Sequence, residues 1–368
     1  MRVFAATAAL VAIALLALAA GNPWRGAPLW PGARYTAEDR DRAIQHGLNF
    51  IYDSVARNRD SFRDWGYDLL NAFYNIAATS ENRELRRMAW GMGHERALEW
   101  RRLNPEMPAA AGPDDISSLV FGSDAAERLG VPGPRLRTQL REAAARFSAY
   151  DYLWFDPVRE PPPSDVPEAC ERCDRQNQRG ATVCARCGAK LAMQSRYDVF
   201  LDALITTYSG DLYGVTLGAH YVDVLKWLPA MRPYPARTPD HEAEYYSGVY
   251  AVTHLIYTYN DYSHARVAPE CFPEEFEHLK RNLPEAIAGK DPETMGEYLD
   301  SLRAFGLTFR DPLIRTGIEY LLSAQNRDGS WGDPNDPDPY ARYHSTWTAI
   351  DGLRDYRWTR VLPCPALF

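Results

Sequence analysis

The sequence lacks both an excess of positive charge and a sustained strand pattern. Its 368 residues include 41 Lys and Arg against 49 Asp and Glu, which gives a net charge of −8. A general nucleic-acid or anionic-membrane binder needs a basic face, so this balance argues against both classes and we expect no nucleic-acid partner. Apolar and polar residues alternate nowhere over a long stretch. This absence excludes a fold built from half-buried strands.

Most segments instead space their apolar residues as helices do. Asp291-Pro292 and Asp311-Pro312 are typical helix starts, because an N-cap Asp accepts backbone N–H groups and a Pro at the first helical position loses no hydrogen bond. Gly306 is a natural end for the first of these two helices. Further helices are predicted at about 39–56, 65–78, 81–101, 135–150, 196–207, 213–228, 242–260, 273–288 and 344–356. Helices joined by short loops pack antiparallel, so the sequence predicts an all-α array of helix hairpins.

The N-terminal segment indicates export. A short basic start precedes an apolar run from Val3 to Ala20, and Ala17-Leu18-Ala19 offers a small-x-small cleavage site. Residues 1–20 therefore predict a secretory signal peptide. The run is also just long enough to remain as an N-terminal membrane anchor. With either outcome we expect an extracytoplasmic protein that is secreted, periplasmic or anchored by this segment.

Four of the six cysteines form two Cys-x-x-Cys knuckles. They are Cys170, Cys173, Cys184 and Cys187. Four thiolates at this spacing suit one tetrahedral ion, and the second knuckle resembles the zinc-ribbon modules that end in Cys-x-x-Cys-Gly-Ala-x-Leu. The sequence predicts a closed, structural zinc site in a small module inserted at residues 157–191, with a protein partner at its basic rim as a further possibility. Two disulfides are the alternative, which export would favour.

The other two cysteines stand alone in the sequence. Cys271 and Cys364 have no neighbouring cysteine or metal-ligand pattern. We expect them to be small buried residues, with a disulfide between them as the alternative.

A motif near the C-terminus indicates a fold family. Its residues are Gly317, Tyr320, Leu321, Gln325, Gly329 and Trp331. Their spacing is very similar to the QW repeat of the squalene cyclase and protein prenyltransferase superfamily. The resemblance implies an α/α toroid, here formed by residues 35–156 and 192–368, with two rings of helices around a cavity. It also implies a scaffold role: Gln325 bonds backbone groups left open at a helix end, and the Trp331 ring covers them.

The catalytic signatures of that superfamily are missing. The Asp-x-Asp-Asp acid with which triterpene cyclases protonate their substrate does not occur in the chain. Cys271 also lacks the Asp and His context of the prenyltransferases' catalytic zinc. The motif therefore predicts the fold without predicting the reaction.

Polar and aromatic stripes on four predicted helices are where chemistry is expected. The one nearest the N-terminus consists of Tyr67, Asn71, Tyr74 and Asn75. Residues four, seven or eleven positions apart share a helix face. The candidate catalytic residues are His254, Tyr257, Asp261, His220 and His344. The candidate substrate-binding residues are Tyr213, Trp227, Tyr250, Trp347 and Asp351. His254 with Tyr257 or Asp261 is predicted to be a base–acid pair tuned near neutral pH, and convergence of the three histidines on a catalytic metal is the alternative.

Two functions follow from this sequence. The first is an exported toroid enzyme that acts on an isoprenoid or other lipid-like substrate in an aromatic-lined cavity, with a polysaccharide lyase or epimerase as a variant on the same fold. The second is a non-catalytic binding or scaffold protein. The polar stripes favour the enzyme, whereas the missing family acid favours the scaffold.

Overall fold

The structure is a computed structural model that describes residues 28–56 and 59–366. The predicted signal or anchor segment, residues 1–20, lies outside the described residues. Within the described part of the chain, no helix combines the length and the apolar character needed to cross a membrane.

The described residues are mostly helical, as the sequence predicts. The α-helices are α1 (Ala37–Ala56), α2 (Arg59–Thr79), α3 (Arg83–Leu103), α4 (Pro113–Arg128), α5 (Pro134–Ala144), α6 (Ala149–Leu153), α7 (Arg196–Tyr213), α8 (Tyr221–Leu225), α9 (Leu228–Met231), α10 (Glu242–Tyr259), α11 (Pro273–Ala288), α12 (Pro292–Ala304), α13 (Pro312–Ala324) and α14 (Pro339–Leu353). Two short strands, β1 (Ala265–Val267) and β2 (Arg360–Leu362), pair in parallel.

The Asp-Pro helix starts are confirmed. The Asp291 side chain accepts the N–H of Thr294 at the start of α12, and the Asp311 side chain accepts the N–H of Leu313 at the start of α13. Gly306 follows α12 with a φ of +98°, a left-handed conformation that glycine adopts without strain. Local capping chemistry therefore sets the ends of both helices.

One predicted helix is wrong and one long helix was not predicted. Residues 213–228 do not form a continuous helix, because Gly214 (φ +72°) ends α7 and Gly218 (φ +81°) turns the chain again. Only the short α8 and α9 follow. The helix that the sequence analysis missed is α4, although Pro113 stands in its first turn and is followed by two acidic residues.

Six of the long helices face a common centre. Helices α2, α4, α7, α10, α12 and α14 all contribute side chains to one cavity. Each of them contacts the next in this order, and α14 contacts α2. The first helix, α1, packs against α14 and α13 at the other end of the chain. The cavity therefore lies among these six helices.

The two lone cysteines are joined. Cys271 and Cys364 form a disulfide, so the expectation of two unpaired buried residues is wrong and its alternative is correct. The bridge lies beside the β1–β2 pair and fixes the C-terminal segment to the body of the protein. A sequence separation of 93 residues hid this pairing from local pattern analysis.

Candidate active site and metal centre

The cavity has a volume of about 320 Å³ and a lining rich in carboxylic acids. The acidic residues that line it are Asp68, Asp202, Glu297, Asp300 and Asp351. The aromatic residues are Tyr67, Phe121, Tyr257, Tyr262, Tyr340 and Trp347. Only Ile205 and Leu217 contribute aliphatic side chains. Its volume lies at the lower end of the range of small-molecule pockets.

Half of the predicted site residues meet in this cavity. They are His254, Tyr257, His344, Trp347 and Asp351. They come from α10 and α14, which lie on either side of α12. Gly296 of α12 allows a close approach to α14, because a Cβ at this position would lie 2.3 Å from the Thr348 carbonyl group. This contact brings the acidic side chains of α12 next to the histidine of α14.

Residues of the predicted 213–228 stripe lie elsewhere. His220 is exposed, and its Nδ1 lies 2.8 Å from Asp211 Oδ1. Tyr213 is fully buried and donates its hydroxyl hydrogen bond to Glu127. The Trp227 indole N–H donates to the Pro157 carbonyl. None of the three lines the cavity, because the helix that was predicted to carry them does not form.

Asp261 and Tyr250 are close to the cavity without lining it. Asp261 follows the end of α10 at a φ of +58°, accepts a hydrogen bond from Tyr208 at 2.6 Å and borders a small adjoining hollow. Tyr250 donates its hydroxyl hydrogen bond to Glu293 at 3.1 Å. The predicted His254–Asp261 pair is therefore not assembled, and Tyr250 supports a carboxylate.

His344 and Glu293 form a partly buried ion pair. His344 Nδ1 lies 3.1 Å from Glu293 Oε1. Burial disfavours the charged form of both residues. The attraction of the opposite charge and the hydrogen bonds around the pair together outweigh this effect for each of them. The pKa of His344 is raised to about 9, and the pKa of Glu293 is lowered to about 2. His344 is therefore a fixed positive charge at neutral pH and does not serve as a base.

Glu297 is a buried carboxylic acid that keeps its proton. Its Oε2 accepts the Thr253 hydroxyl at 2.5 Å, while Oε1 is buried without a hydrogen-bond partner among the described residues. Burial raises the pKa of Glu297 to about 8, in part opposed by His344 and reinforced by the neighbouring Glu293 carboxylate. At neutral pH this side chain is therefore mostly protonated.

His254 is held neutral. Its Nδ1 lies 2.9 Å from the Tyr250 carbonyl, which only accepts, so Nδ1 carries the proton and Nε2 keeps its lone pair. Burial and then the charge of His344 lower the pKa of His254 to about 4. The expectation of a base tuned near neutral pH is wrong for this residue, because a partly buried imidazole beside a cation resists protonation.

Asp202 is the carboxyl group closest to a neutral titration. It lines the cavity from α7 and has no hydrogen-bond partner among the described residues. The side chain is exposed at the cavity surface, but the protein packed around it disfavours its charge and raises its pKa to about 7, with a further contribution from Asp198. Burial likewise raises the pKa of Asp300, to about 6.

Sequence analysis missed these carboxyl groups. Glu293, Glu297 and Asp300 lie at i, i+4 and i+7 on α12, a helix whose residues are otherwise buried almost all around. An acidic stripe in such a helix is the signal that could have identified them. Asp202 gives no comparable signal, because a single Asp near a helix start is common.

The four clustered cysteines converge as predicted. Their Sγ atoms all lie within 4.8 Å of one another, and the closest pairs are 3.5, 3.6 and 3.7 Å apart. A tetrahedral site with bonds of about 2.3 Å places sulfur atoms about 3.8 Å apart. Gly188 adopts a φ of +71° after the fourth cysteine, and the Arg186 N–H points at Cys184 Sγ at 3.4 Å. The four thiols are free, so they form a cluster able to hold a metal ion rather than two disulfides.

The Gln–Trp motif joins three helices. Gln325 donates from Nε2 to the Ala43 carbonyl of α1 and to the Gly329 carbonyl. The Trp331 indole N–H donates to the Leu321 carbonyl, one of the four left open at the end of α13. The Trp331 backbone N–H donates to Thr346 of α14. Trp331 thus satisfies the helix end, a role that was expected of Gln325, while Gln325 reaches α1.

The side chains that line the cavity can donate and accept protons, and they can stabilise charge. The cavity combines a protonated acid (Glu297), an acid that titrates near neutrality (Asp202) and a cation (His344) within a wall of mixed polar and aromatic side chains. Searches against protein-family models, curated proteins and solved structures find no match to this chain. Its function is therefore argued from the chemistry of the site.

Proposed function

We propose that this protein is an exported α/α-toroid enzyme that cleaves a glycosidic bond in a neutral, hydroxyl-rich substrate, with Glu297 as the general acid. The observation that carries the proposal is the state of Glu297, a protonated and buried acid whose Oε1 has no partner among the described residues. Acids of this kind protonate the oxygen atom of a leaving group.

The helix contacts support the toroid. Six long helices line one cavity and alternate with outer helices except between α7 and α10. They touch in sequence order, and the last of them touches the first. The short α8 and α9 occupy the interval between α7 and α10 where an outer helix would otherwise run. The Gln325 and Trp331 contacts support the same arrangement, because they join α1, α13 and α14, the two ends of the described chain.

Asp202 is proposed as the partner base. In the reaction, Glu297 gives its proton to the glycosidic oxygen as the carbon–oxygen bond breaks. Asp202, once ionised, takes a proton from the water molecule whose oxygen bonds to the anomeric carbon. His254 offers the Nε2 lone pair as an acceptor for a substrate hydroxyl. The positive charge of His344 stabilises negative charge on groups nearby in the cavity and keeps Glu293 ionised.

The lining supports a hydroxyl-rich substrate. Carboxylic, amide and hydroxyl groups alternate with aromatic rings, and aliphatic side chains are few. Polar groups of this density need hydrogen-bond partners when a ligand displaces water, and a hydrocarbon offers none. The carboxylic groups outnumber the basic residues of the wall, which are His254, His344 and Arg354. A neutral substrate suits this wall better than a uronate polymer, so a lyase or epimerase acting on uronates is less suited to it.

An isoprenoid is the second candidate substrate. Six aromatic side chains line the cavity, and their faces are suited to a carbocation. An acid with a pKa of about 8 is a weak proton donor toward a carbon–carbon double bond, however, and a much better one toward a departing oxygen. This difference in proton donation makes a carbohydrate-like compound the preferred candidate substrate.

The substrate class is tested by mass spectrometry of ligands that co-purify with the full chain, followed by turnover assays with the same chemical classes. We expect an oligosaccharide in the cavity and hydrolysis of neutral glycosides by wild type but not by Glu297→Gln. A co-purifying prenyl lipid turned over by wild type would favour the second candidate. Glycoside binding without turnover in either protein would overturn the enzyme in favour of a binding protein.

Zinc is the ion that we propose for the cysteine cluster. Four sulfur ligands at near-tetrahedral spacing suit Zn²⁺, and all four positions are filled by protein, which is typical of a structural site. The module comprising residues 157–191 is proposed as an insertion that the ion holds together, because Cys170, Cys184 and Leu191 form a small core apart from the main one. Metal binding of this kind contributes directly to folding.

Metal analysis of the purified chain is expected to find about one zinc ion per chain, because four cysteines form one tetrahedral site. Cys170→Ser should lose the metal, whereas His254→Ala should retain it, because His254 lies in the cavity and not in the cluster. Inductively coupled plasma mass spectrometry of both variants measures this. Loss of metal in His254→Ala would show instead that the cavity holds the ion.

Export is supported by two features. The predicted signal segment precedes the described residues, and the Cys271–Cys364 disulfide is of a kind that persists in oxidising compartments.

A further inference from the structure

A hollow on the outer surface gathers arginines although the whole chain is acidic. It is lined by Ala77, Arg83, Arg86, Arg87, Trp90 and Arg357, and we name it the arginine pocket. Its volume is about 450 Å³, and no acidic residue of the described chain lines it. The proposed reaction in the central cavity uses none of these residues. A chain with a net charge of −8 that concentrates four arginines in one hollow has a local site for negative charge.

Two of the arginines are held in place by the backbone. Arg86 Nη1 donates to the carbonyl groups of Ser80 and Glu81, at 2.8 and 2.6 Å. Arg357 Nη2 donates to the Ala78 carbonyl at 3.2 Å, and its own N–H donates to Thr79. Each guanidinium group keeps further N–H donors. Because these side chains are already fixed, less conformational entropy is lost when they bind a ligand.

The other two arginines are free to engage a ligand. Arg83 and Arg87 are exposed, and their side chains have no hydrogen bond or ion pair with other described residues. They lie at i and i+4 on α3, so they project from the same face of the helix. The nearest acidic residues in sequence, Glu81 and Glu84, do not line the hollow.

Trp90 adds a flat apolar wall. Its ring is 47% exposed, which is unusual for so large a side chain on a soluble surface. One face stacks on His94 with a centroid distance of 4.9 Å and an angle of 12°, and His94 is itself fixed by a hydrogen bond from Nδ1 to the Leu129 carbonyl. The ring is thus rigid as well as exposed, a combination that favours stacking of a ligand ring or packing of an apolar chain.

From this arrangement we infer that the arginine pocket binds a phosphate ester, with the phosphoryl group between the arginines and its organic substituent against Trp90. Guanidinium groups bind phosphate oxygens through paired, charge-assisted hydrogen bonds. A soluble phosphate ester and the headgroup of an anionic phospholipid share this chemistry.

Two binding measurements on the full chain test the inference and separate the two sources. Isothermal titration calorimetry with phenyl phosphate and inorganic phosphate probes a soluble ester. Co-sedimentation with phosphatidylcholine vesicles, with and without phosphatidic acid, probes a lipid headgroup, and the vesicles without phosphatidic acid account for insertion of the N-terminal segment. Arg83→Gln/Arg87→Gln should weaken either interaction at least about tenfold. Trp90→Ala should reduce the advantage of phenyl phosphate over phosphate by about threefold.

The matched control is Arg172→Gln/Arg175→Gln, which removes the same charge from exposed arginines of the cysteine module. It should leave binding unchanged, and neither double variant should alter the melting temperature. Binding of phenyl phosphate that depends on Arg83 and Arg87 supports a soluble ester, and dependence seen only with phosphatidic acid supports a lipid. Absence of binding in both measurements overturns the inference, as does binding that survives Arg83→Gln/Arg87→Gln or falls equally in the control.

Discussion

Glu297→Gln is expected to abolish most turnover and to remove a pH dependence of stability. A positioned general acid contributes about 10²–10⁴-fold to the rate, and Gln cannot supply the proton. The stability effect needs no knowledge of the substrate. It follows from burial of the carboxyl group, which raises its pKa from 4.5 to about 8 in the folded protein.

The direction of the stability effect follows from proton binding. Between about pH 4.5 and 8 the folded protein keeps the Glu297 proton that the unfolded chain releases, so the free energy of unfolding falls as the pH rises. Each pKa unit corresponds to about 1.4 kcal/mol, and the full effect is therefore a few kcal/mol. Glu297→Gln has no proton to lose and should gain stability relative to wild type as the pH rises through this range.

Thermal or urea unfolding at several pH values measures this difference. Glu275→Gln is the matched control, because Glu275 is equally buried but binds Arg232 outside the cavity. Glu275→Gln should lower the free energy of unfolding. It should keep the fall in that free energy between about pH 4.5 and 8, because this fall depends on Glu297. A difference between Glu297→Gln and wild type that stays constant with pH would show that Glu297 is ionised in the folded protein, and the general acid would then have to be another group.

The activity profile of wild type follows from the same two carboxyl groups. Activity should rise with pH through about 7 as Asp202 ionises, and it should fall through about 8 as Glu297 loses its proton. The plot of activity against pH should therefore be a narrow bell-shaped curve. Asp202→Asn should lower turnover and remove the acidic limb, which distinguishes a base from a residue that only supports the fold.

Local chemistry predicted much of this fold. The capping residues Asp291 and Asp311 act within one turn of the chain, so their sequence context was sufficient. The cysteine knuckles are equally local. Contacts between distant segments were not predictable in the same way, and the Cys271–Cys364 bridge is the clearest case.

The site was predicted only in part, because local patterns were again the only guide to it. Helical spacing placed His344, Trp347 and Asp351 on one face, and they do line the cavity. It failed for Tyr213, because a pattern of apolar residues does not reveal that Gly214 takes a left-handed conformation. Glu297 was not predicted because histidine is the residue whose ordinary pKa is near 7, whereas here burial moves the pKa of a glutamate into that range.

Trp331→Ala is expected to lower the free energy of unfolding by about 3–5 kcal/mol, as truncation of a buried aromatic residue does. The ring is fully buried and packs against Gly47 of α1, where a Cβ would lie 2.9 Å from its Cζ3 atom. Its removal leaves a cavity between α1, α13 and α14, and it also leaves the Leu321 carbonyl without its indole donor.

Trp331→Phe separates these two causes and guards against failure of the alanine variant to fold. Phe keeps most of the ring but cannot donate to Leu321, so it should cost about 1–2 kcal/mol from the lost hydrogen bond alone. Trp90→Ala is the control for loss of a tryptophan from the surface and should change stability by less than about 0.5 kcal/mol. Denaturant unfolding followed by circular dichroism gives all three values. Because the toroid proposal depends on Trp331 joining the two ends of the described chain, Trp331→Ala with unchanged stability but lost activity would assign this residue to the reaction and remove a main support for that fold.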